Sequence, residues 1–323
     1  MAHATHAKHR NALPQLGETR LLTDGGLETT LIFLDGMELP CFASFDLLRT
    51  AKGKAHLEAY YRRYAELAAE KGVGFVLDSP TWRASSDWGK KLGYSADALD
   101  AINREAIQML LALRERFEAP GRPHVVSGNI GPRGDGYSPD FLMTEREARD
   151  YHTTQIRAFA EEGADMVTAM TMTHTGEAAG VASASAQAGL PVAISFTVET
   201  DGRLPTGQEL GEAIAETDAL SLKVPTYYMI NCAHPDHFRD AVSRGEDWTK
   251  RIRGVRANAS RMSHAELDNA EELDDGNPLE FGREHGELLA LLPNLRVFGG
   301  CCGTDDRHVN AIADNCCHHR KAA

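Results

Sequence analysis

Apolar and β-branched residues fall into eight short runs along the chain, each about the length of a strand. They are Arg20–Asp24, Val73–Asp78, His124–Asn129, Asp165–Met170, Pro191–Thr197, Tyr227–Cys232, Arg253–Ala257 and Leu295–Phe298. Segments with helical spacing lie between them, among them Lys54–Lys71, Ala96–Phe117, Thr144–Glu162, Glu177–Ala188, Gly207–Leu220, Leu279–Leu292 and Asp305–Cys316. Near-continuous apolar strands alternating with amphipathic helices predict a parallel sheet with helical crossovers. Eight such units in this length fit a single-domain α/β fold, a (β/α)₈ TIM barrel. A doubly wound sheet is the alternative, but no G-x-G-x-x-G loop follows the first strand.

Local signals agree with these boundaries. Thr144 followed by Glu147 is a capping box. Gly72 and Gly163 each stand where a helix ends and a strand begins. Residues 1–15 carry histidines and few apolar positions and read as disordered, leaving 16–323 as the catalytic barrel. The stretch Asn258–Gly276 is rich in Asn, Asp, Glu and Ser. It is long for a βα loop and is expected to act as a lid or an interface.

Composition narrows the classes. The 323 residues include 34 Lys plus Arg and 47 Asp plus Glu, a formal net charge of −13. That balance argues against nucleic acid or an anionic membrane surface as partner. No run approaches the roughly 20 apolar residues of a transmembrane helix, and the N-terminus has no apolar signal core. Six cysteines in so long a chain do not read as a disulfide scaffold. The expected setting is the reducing cytoplasm, with small molecules as partners and a homo-oligomer as an open option.

The chemistry concentrates in Gly299-Gly300-Cys301-Cys302-Gly303-Thr304. Neighbouring cysteines do not readily pair with each other, but two thiolates can share one soft metal ion. Both follow the eighth strand, and Cys232 ends the sixth, so all three reach the C-terminal mouth of a barrel. Three thiolates and one open position form a catalytic zinc layout. The same mouth receives Asp24 after strand one, Asp78, Ser79, Thr81, Trp82 and Arg83 after strand two, and Asn129 after strand three. Trp82, Trp88 and Tyr94 could present aromatic faces to a cationic ligand. Asn258 is expected to line the pocket, and His174 and His234 follow strands four and six. Cys316-Cys317-His318-His319 holds ligand residue types but sits at the end of the last helix, where consecutive side chains diverge. Cys41 reads as a loop or core thiol.

At these positions the chain resembles the homocysteine S-methyltransferase family. Leu22-Thr23-Asp24-Gly25-Gly26, Ile230-Asn231-Cys232 and the paired-cysteine run look like its three signatures, over roughly residues 21–312. The resemblance implies a zinc-dependent (β/α)₈ barrel that moves a methyl group from a donor to the thiol of homocysteine, giving methionine. It implies Cys232, Cys301 and Cys302 as zinc ligands, Asp24 as a contact of the acceptor's amino group, and Asn231 beside the reaction. The length resembles the branch that uses S-methylmethionine. Two departures stand out. Met170 occupies the place of a family Glu that helps hold the acceptor's ammonium, with Glu177 too distant to replace it. Arg83 stands where Gln or Tyr is usual and could clamp a carboxylate. These favour, as an alternative, a thiol acceptor other than homocysteine. Zinc hydrolysis, or a zinc- or thiol-binding barrel without turnover, are the competing readings.

Overall fold

The computed structural model describes residues 7–139 and 141–317. Eight parallel strands close into one barrel in sequence order. They are β1 (Leu21–Leu22), β2 (Gly74–Asp78), β3 (His124–Ile130), β4 (Met166–Met172), β5 (Val192–Phe196), β6 (Tyr227–Asn231), β7 (Ile252–Ala257) and β8 (Val297–Gly300). Closure comes from β1 pairing with both β2 and β8, Leu21 lying opposite Gly74 and Val297.

One long helix follows each strand. These are α1 (Ala51–Lys71), α2 (Ala96–Phe117), α3 (Glu145–Glu162), α4 (Thr175–Gln187), α5 (Leu210–Leu220), α6 (Pro235–Ser243), α7 (Pro278–Leu291) and α8 (Asp306–Cys316). The capping box of Thr144 and Glu147 starts α3, and Gly163 closes it in the left-handed conformation at φ 91°. Gly72 does the same for α1 at φ 70°. Such positions suit glycine because it has no Cβ to clash.

The pleat sends alternate residues to opposite sides of the barrel wall. Outward side chains such as Phe75, Ile194, Ile230 and Phe298 join the helices in the larger core. Inward side chains change character with height. Leu21, Val76, Val125, Met166, Ala193, Tyr227 and Val297 form a buried apolar cluster. Nearer the C-terminal ends of the strands, polar groups take over. Ser127 Oγ meets Thr168 Oγ1 at 2.7 Å, and Ser195 Oγ donates to Asn231 Oδ1 at 2.6 Å. The polarity needed for chemistry is therefore confined to the C-terminal end.

One sequence expectation changes here. Over residues 7–15 the N-terminal segment is packed rather than disordered; residues 1–6 lie outside the described residues. The His9 backbone N–H donates to Asp165 Oδ1 at 2.8 Å, and Arg10 Nη2 donates to Ala160 O at 2.9 Å. Leu13 joins the inner apolar cluster. Gln15 is fully buried and donates to the Tyr227 hydroxyl at 3.2 Å. The segment covers apolar barrel residues that would otherwise face water, which outweighs its polar composition.

Among the described residues no helix is long and apolar enough to cross a membrane.

Candidate active site

A pocket opens at the C-terminal ends of the strands. Cys232, Cys301 and Cys302 form part of its wall. Their three Sγ atoms all lie within 4.8 Å of one another. β6 delivers Cys232 in a left-handed backbone conformation, φ 53°. That turn is held by the Cys232 N–H donating to Arg256 O at 3.1 Å and by the Cys232 carbonyl accepting from His264 Nε2 at 2.7 Å. The glycines before the cysteine pair are required by close approach. A Cβ on Gly299 would sit 1.9 Å from Thr23 Oγ1, and one on Gly300 would sit 1.9 Å from Thr304 Oγ1.

The donor set suits zinc. An ion bound to thiolates at about 2.3 Å spaces its sulfurs about 3.8 Å apart in a tetrahedron, inside the observed limit. The remaining contacts of the sulfurs are long, Tyr137 Oη at 3.6 Å from Cys302 and Thr171 Oγ1 at 3.9 Å from Cys232. A second ligand-type group, His234, Asp236 and Glu284, lies outside this pocket. Arg261 already pairs with Asp236 at 2.7 Å and also reaches Glu284.

Asp24 lines the pocket, and so does Arg256 from the end of β7. Arg256 Nη2 lies 2.6 Å from Asp24 Oδ1, and Nη1 lies 2.9 Å from Asp78 Oδ2. Tyr60 donates to the other Asp24 oxygen at 3.1 Å. Burial pushes the Asp24 carboxyl up to about 7, with Arg256 pulling the other way and Asp78 adding to the rise. Burial raises Asp78 too, again opposed by Arg256. Arg256 resists its own burial because both carboxylates hold it charged. Sequence reasoning missed Arg256. Nothing within Val255-Arg256-Ala257 signals partners 178 and 232 positions away.

Asn231 lines the pocket, yet its side-chain amide is committed. Oδ1 accepts from the Thr171 N–H at 2.9 Å, and Nδ2 donates to Thr171 Oγ1 at 2.8 Å. Thr171 is left-handed at φ 60°, and the register of β4 on β5 shifts there. Asn231 thus stabilises a strained position at the pocket wall. Met170, 5% exposed, stands just before it in that wall. Asn129 is present as well, with a buried Oδ1 that accepts no hydrogen bond.

Arg83 and Trp82 both line the pocket. The Arg83 guanidinium lies between two indoles, 4.1 Å from the Trp82 centroid and 3.9 Å from that of Trp88. Nη1 donates to Gly134 O at 2.8 Å, while the buried Nε has no partner.

Several expected residues are elsewhere. Thr81 is fully buried behind the wall, donating to Asn129 O at 2.7 Å. Asn258 is buried outside the lining, its N–H donating to Ala233 O at 3.1 Å. Both follow a strand end where the chain turns and carries the side chain behind the pocket surface. Trp88 and Tyr94 do not line the pocket either, Tyr94 packing on Phe45 at 5.3 Å. His174 and Glu177 face each other at 3.5 Å outside it. His234 is likewise outside, its Nδ1 accepting from the Asp236 N–H at 3.2 Å. Cys316 is buried at the end of α8, Cys41 is exposed, and His318 and His319 lie outside the described residues.

Two loops supply what the strands do not. The β3–α3 loop brings Asp135 and Tyr137 into the wall, and the long loop after β7 brings Asp268. That second loop carries a short helix, His264–Asp268, started by a capping box from Ser263 and Glu266. His264 reaches inward from it and is 4% exposed.

The chain is 22% identical to homocysteine S-methyltransferase 3 of Arabidopsis thaliana, over 76% of each chain. It is 23% identical to selenocysteine Se-methyltransferase of Brassica oleracea var. italica, covering 90% of this chain and 87% of that one. It matches methionine synthase of Mycobacterium leprae at 26% identity, over 80% of this chain but only 21% of the synthase. In fold it is similar to the metallated homocysteine methyltransferase MmuM of Escherichia coli, with a TM-score of 0.71 at 18% identity, covering 95% of this chain and 99% of that one. The sequence profile described as homocysteine S-methyltransferase matches residues 21–316, and the chain belongs to that family.

Proposed function

We propose that the protein is a zinc-dependent thiol S-methyltransferase whose donor is a methyl sulfonium of the S-methylmethionine kind. The observation that carries this reading is the convergence of three sulfurs, Cys232, Cys301 and Cys302, within 4.8 Å at the barrel mouth. A zinc ion held by them would supply a Lewis acid that keeps an incoming thiol in its thiolate form near neutral pH.

The chain's own residues support the remainder. Glu28, Asp135 and Asp268 line the pocket and give it negative charge suited to a cationic donor. Trp82 and Tyr137 add aromatic faces that attract a sulfonium. Tyr137 stands 3.6 Å from the Cys302 sulfur, and the helix carrying Asp268 reaches the Cys232 carbonyl through His264; with substrates bound, the two would help orient the sulfur centres and limit the entry of water. In the transfer, the acceptor sulfur forms a bond to the methyl carbon as the donor's sulfur–methyl bond breaks. The donor leaves as a neutral thioether with the bonding pair, and the acceptor's proton goes to solvent. Asn231 acts by holding Thr171 rather than by moving a proton. Free thiols also suit a reducing, cytoplasmic setting.

Homocysteine, giving methionine, is the reference acceptor that the family supplies. Purified protein incubated with S-methylmethionine and a panel of thiols, with zinc content measured alongside, tests the reading. Methylated thiol formed only by zinc-loaded protein is expected. Zinc-loaded protein that binds thiols and methylates none would leave a binding barrel without turnover.

A further inference from the structure

We infer that the acceptor thiol of this chain carries a carboxylate but no ammonium group, because the protein seats its own cation beside the pocket's two deep carboxylates. The inference rests on the thiol-methylation reading above and names its acceptor class.

The deep wall contains Asp24 and Asp78, and Arg256 bridges them. Arg256 is 7% exposed and engaged through all three nitrogens: besides the two carboxylates it donates through Nε to Gly300 O at 3.1 Å and through Nη2 to Gly25 O at 3.1 Å. Each Asp24 oxygen already accepts a hydrogen bond, one from Arg256 and the other from Tyr60. Asp78 keeps one oxygen without a hydrogen bond, although the hydroxyls of Ser127 and Thr168 favour its charged form. An ammonium entering here must share carboxylates with a guanidinium, cation against cation. The neighbouring wall position offers a methionine thioether, Met170, which accepts hydrogen bonds only weakly.

The opposite deficit exists at Arg83. Its side chain is 7% exposed, lines the pocket, and has a buried Nε with no partner. Its ion pair is a long one, to the half-exposed Asp135 at 3.8 Å, beyond hydrogen-bond reach. A carboxylate on the acceptor would satisfy this guanidinium. Glu28 accepts from Ser44 Oγ at 2.8 Å and forms no ion pair among the described residues. It is left to the cationic donor.

Homocysteine and 4-mercaptobutyrate make the test, since they differ only by the α-amino group. Zinc-loaded full-length protein is assayed with S-methylmethionine and each thiol, and binding of each thiol is measured by calorimetry without donor. The expected result is a kcat/KM for 4-mercaptobutyrate at least about tenfold higher, with tighter binding in the same order. Met170→Glu is expected to move the ratio toward homocysteine by about tenfold or more, and Arg83→Gln to weaken 4-mercaptobutyrate binding. Equal or better use of homocysteine by the unaltered chain overturns the inference while leaving thiol methylation intact. A homocysteine preference abolished by Glu28→Gln would also overturn it, by placing the ammonium on Glu28. Tighter binding of 4-mercaptobutyrate with no methylation of either thiol would support the acceptor class and sink the methyl-transfer reading instead. Binding of neither thiol would overturn both.

Discussion

Tyr137 lies flat against His264, with ring centroids 4.0 Å apart and planes at 17°. The two residues come from different loops, and the pair gives the cysteine site a partial cover, the Tyr137 hydroxyl lying 3.6 Å from Cys302 Sγ and His264 Nε2 donating to the Cys232 carbonyl. Tyr137→Ala should remove this cover. The expected loss in kcat/KM for the donor is about 10- to 100-fold, from lost aromatic contact and admitted water. Tyr137→Phe keeps the ring and should stay within a few-fold of the unaltered chain, on the order of one hydrogen bond. Steady-state kinetics with zinc content measured in parallel separates this from metal loss.

Arg256 holds two buried carboxylates, and its removal should be costly. Arg256→Met leaves Asp24 and Asp78 without a counter-ion and should destabilise the fold by about 3–5 kcal/mol in chemical denaturation. Adding Asp24→Asn should recover part of that loss, because one of the stranded charges is gone. No recovery in the double variant would show that the arginine matters for packing rather than charge.

The pH dependence should show at Glu177. Burial opposes its ionisation, but the hydrogen bond from His152 at 2.9 Å, with His174 beside it, outweighs burial and holds the carboxyl down to about 2. It also accepts from the Arg133 N–H at 2.7 Å, anchoring the loop that carries Tyr137. A carboxyl lowered on folding adds stability that is full above its unfolded value and is lost as pH falls through the folded one. The unaltered chain should therefore be more stable than Glu177→Gln above about pH 4.5, by roughly 3 kcal/mol, with the difference fading toward pH 2. A constant difference across that window would contradict the assignment.

Much of this was legible in the chain. The barrel follows from eight apolar runs, each broken by helical spacing, because a strand buried on both faces shows plainly in composition. The cysteines were legible because two glycines and two cysteines at a strand end have few other uses. Arg256 was not, since a charged residue in a strand names no partner until the barrel closes. Thr81 and Asn258 were placed at the mouth because sequence marks where a strand ends, not which way the next side chains turn. Tyr137 and His264 lie in loops whose path depends on the packing of one against the other.

The glycines before the cysteine pair give a further check. In Gly300→Ala the new methyl would meet Thr304, whose hydroxyl donates to the Cys301 carbonyl at 2.7 Å and accepts from the Gly26 N–H at 3.1 Å. Metal affinity should fall by about 10- to 100-fold, the usual effect of disturbing the groups that orient ligands. Competition with a chromogenic chelator measures it, and unchanged affinity would show that the turn adapts.

The most direct test is a zinc titration of metal-free protein, with methyl transfer from S-methylmethionine to the preferred thiol followed at each addition. Activity should rise linearly, break at one zinc per chain, and be absent at every addition in Cys302→Ser. Full methyl transfer in the metal-free protein, or in the Cys302→Ser variant, would contradict the three-cysteine centre as the seat of catalysis.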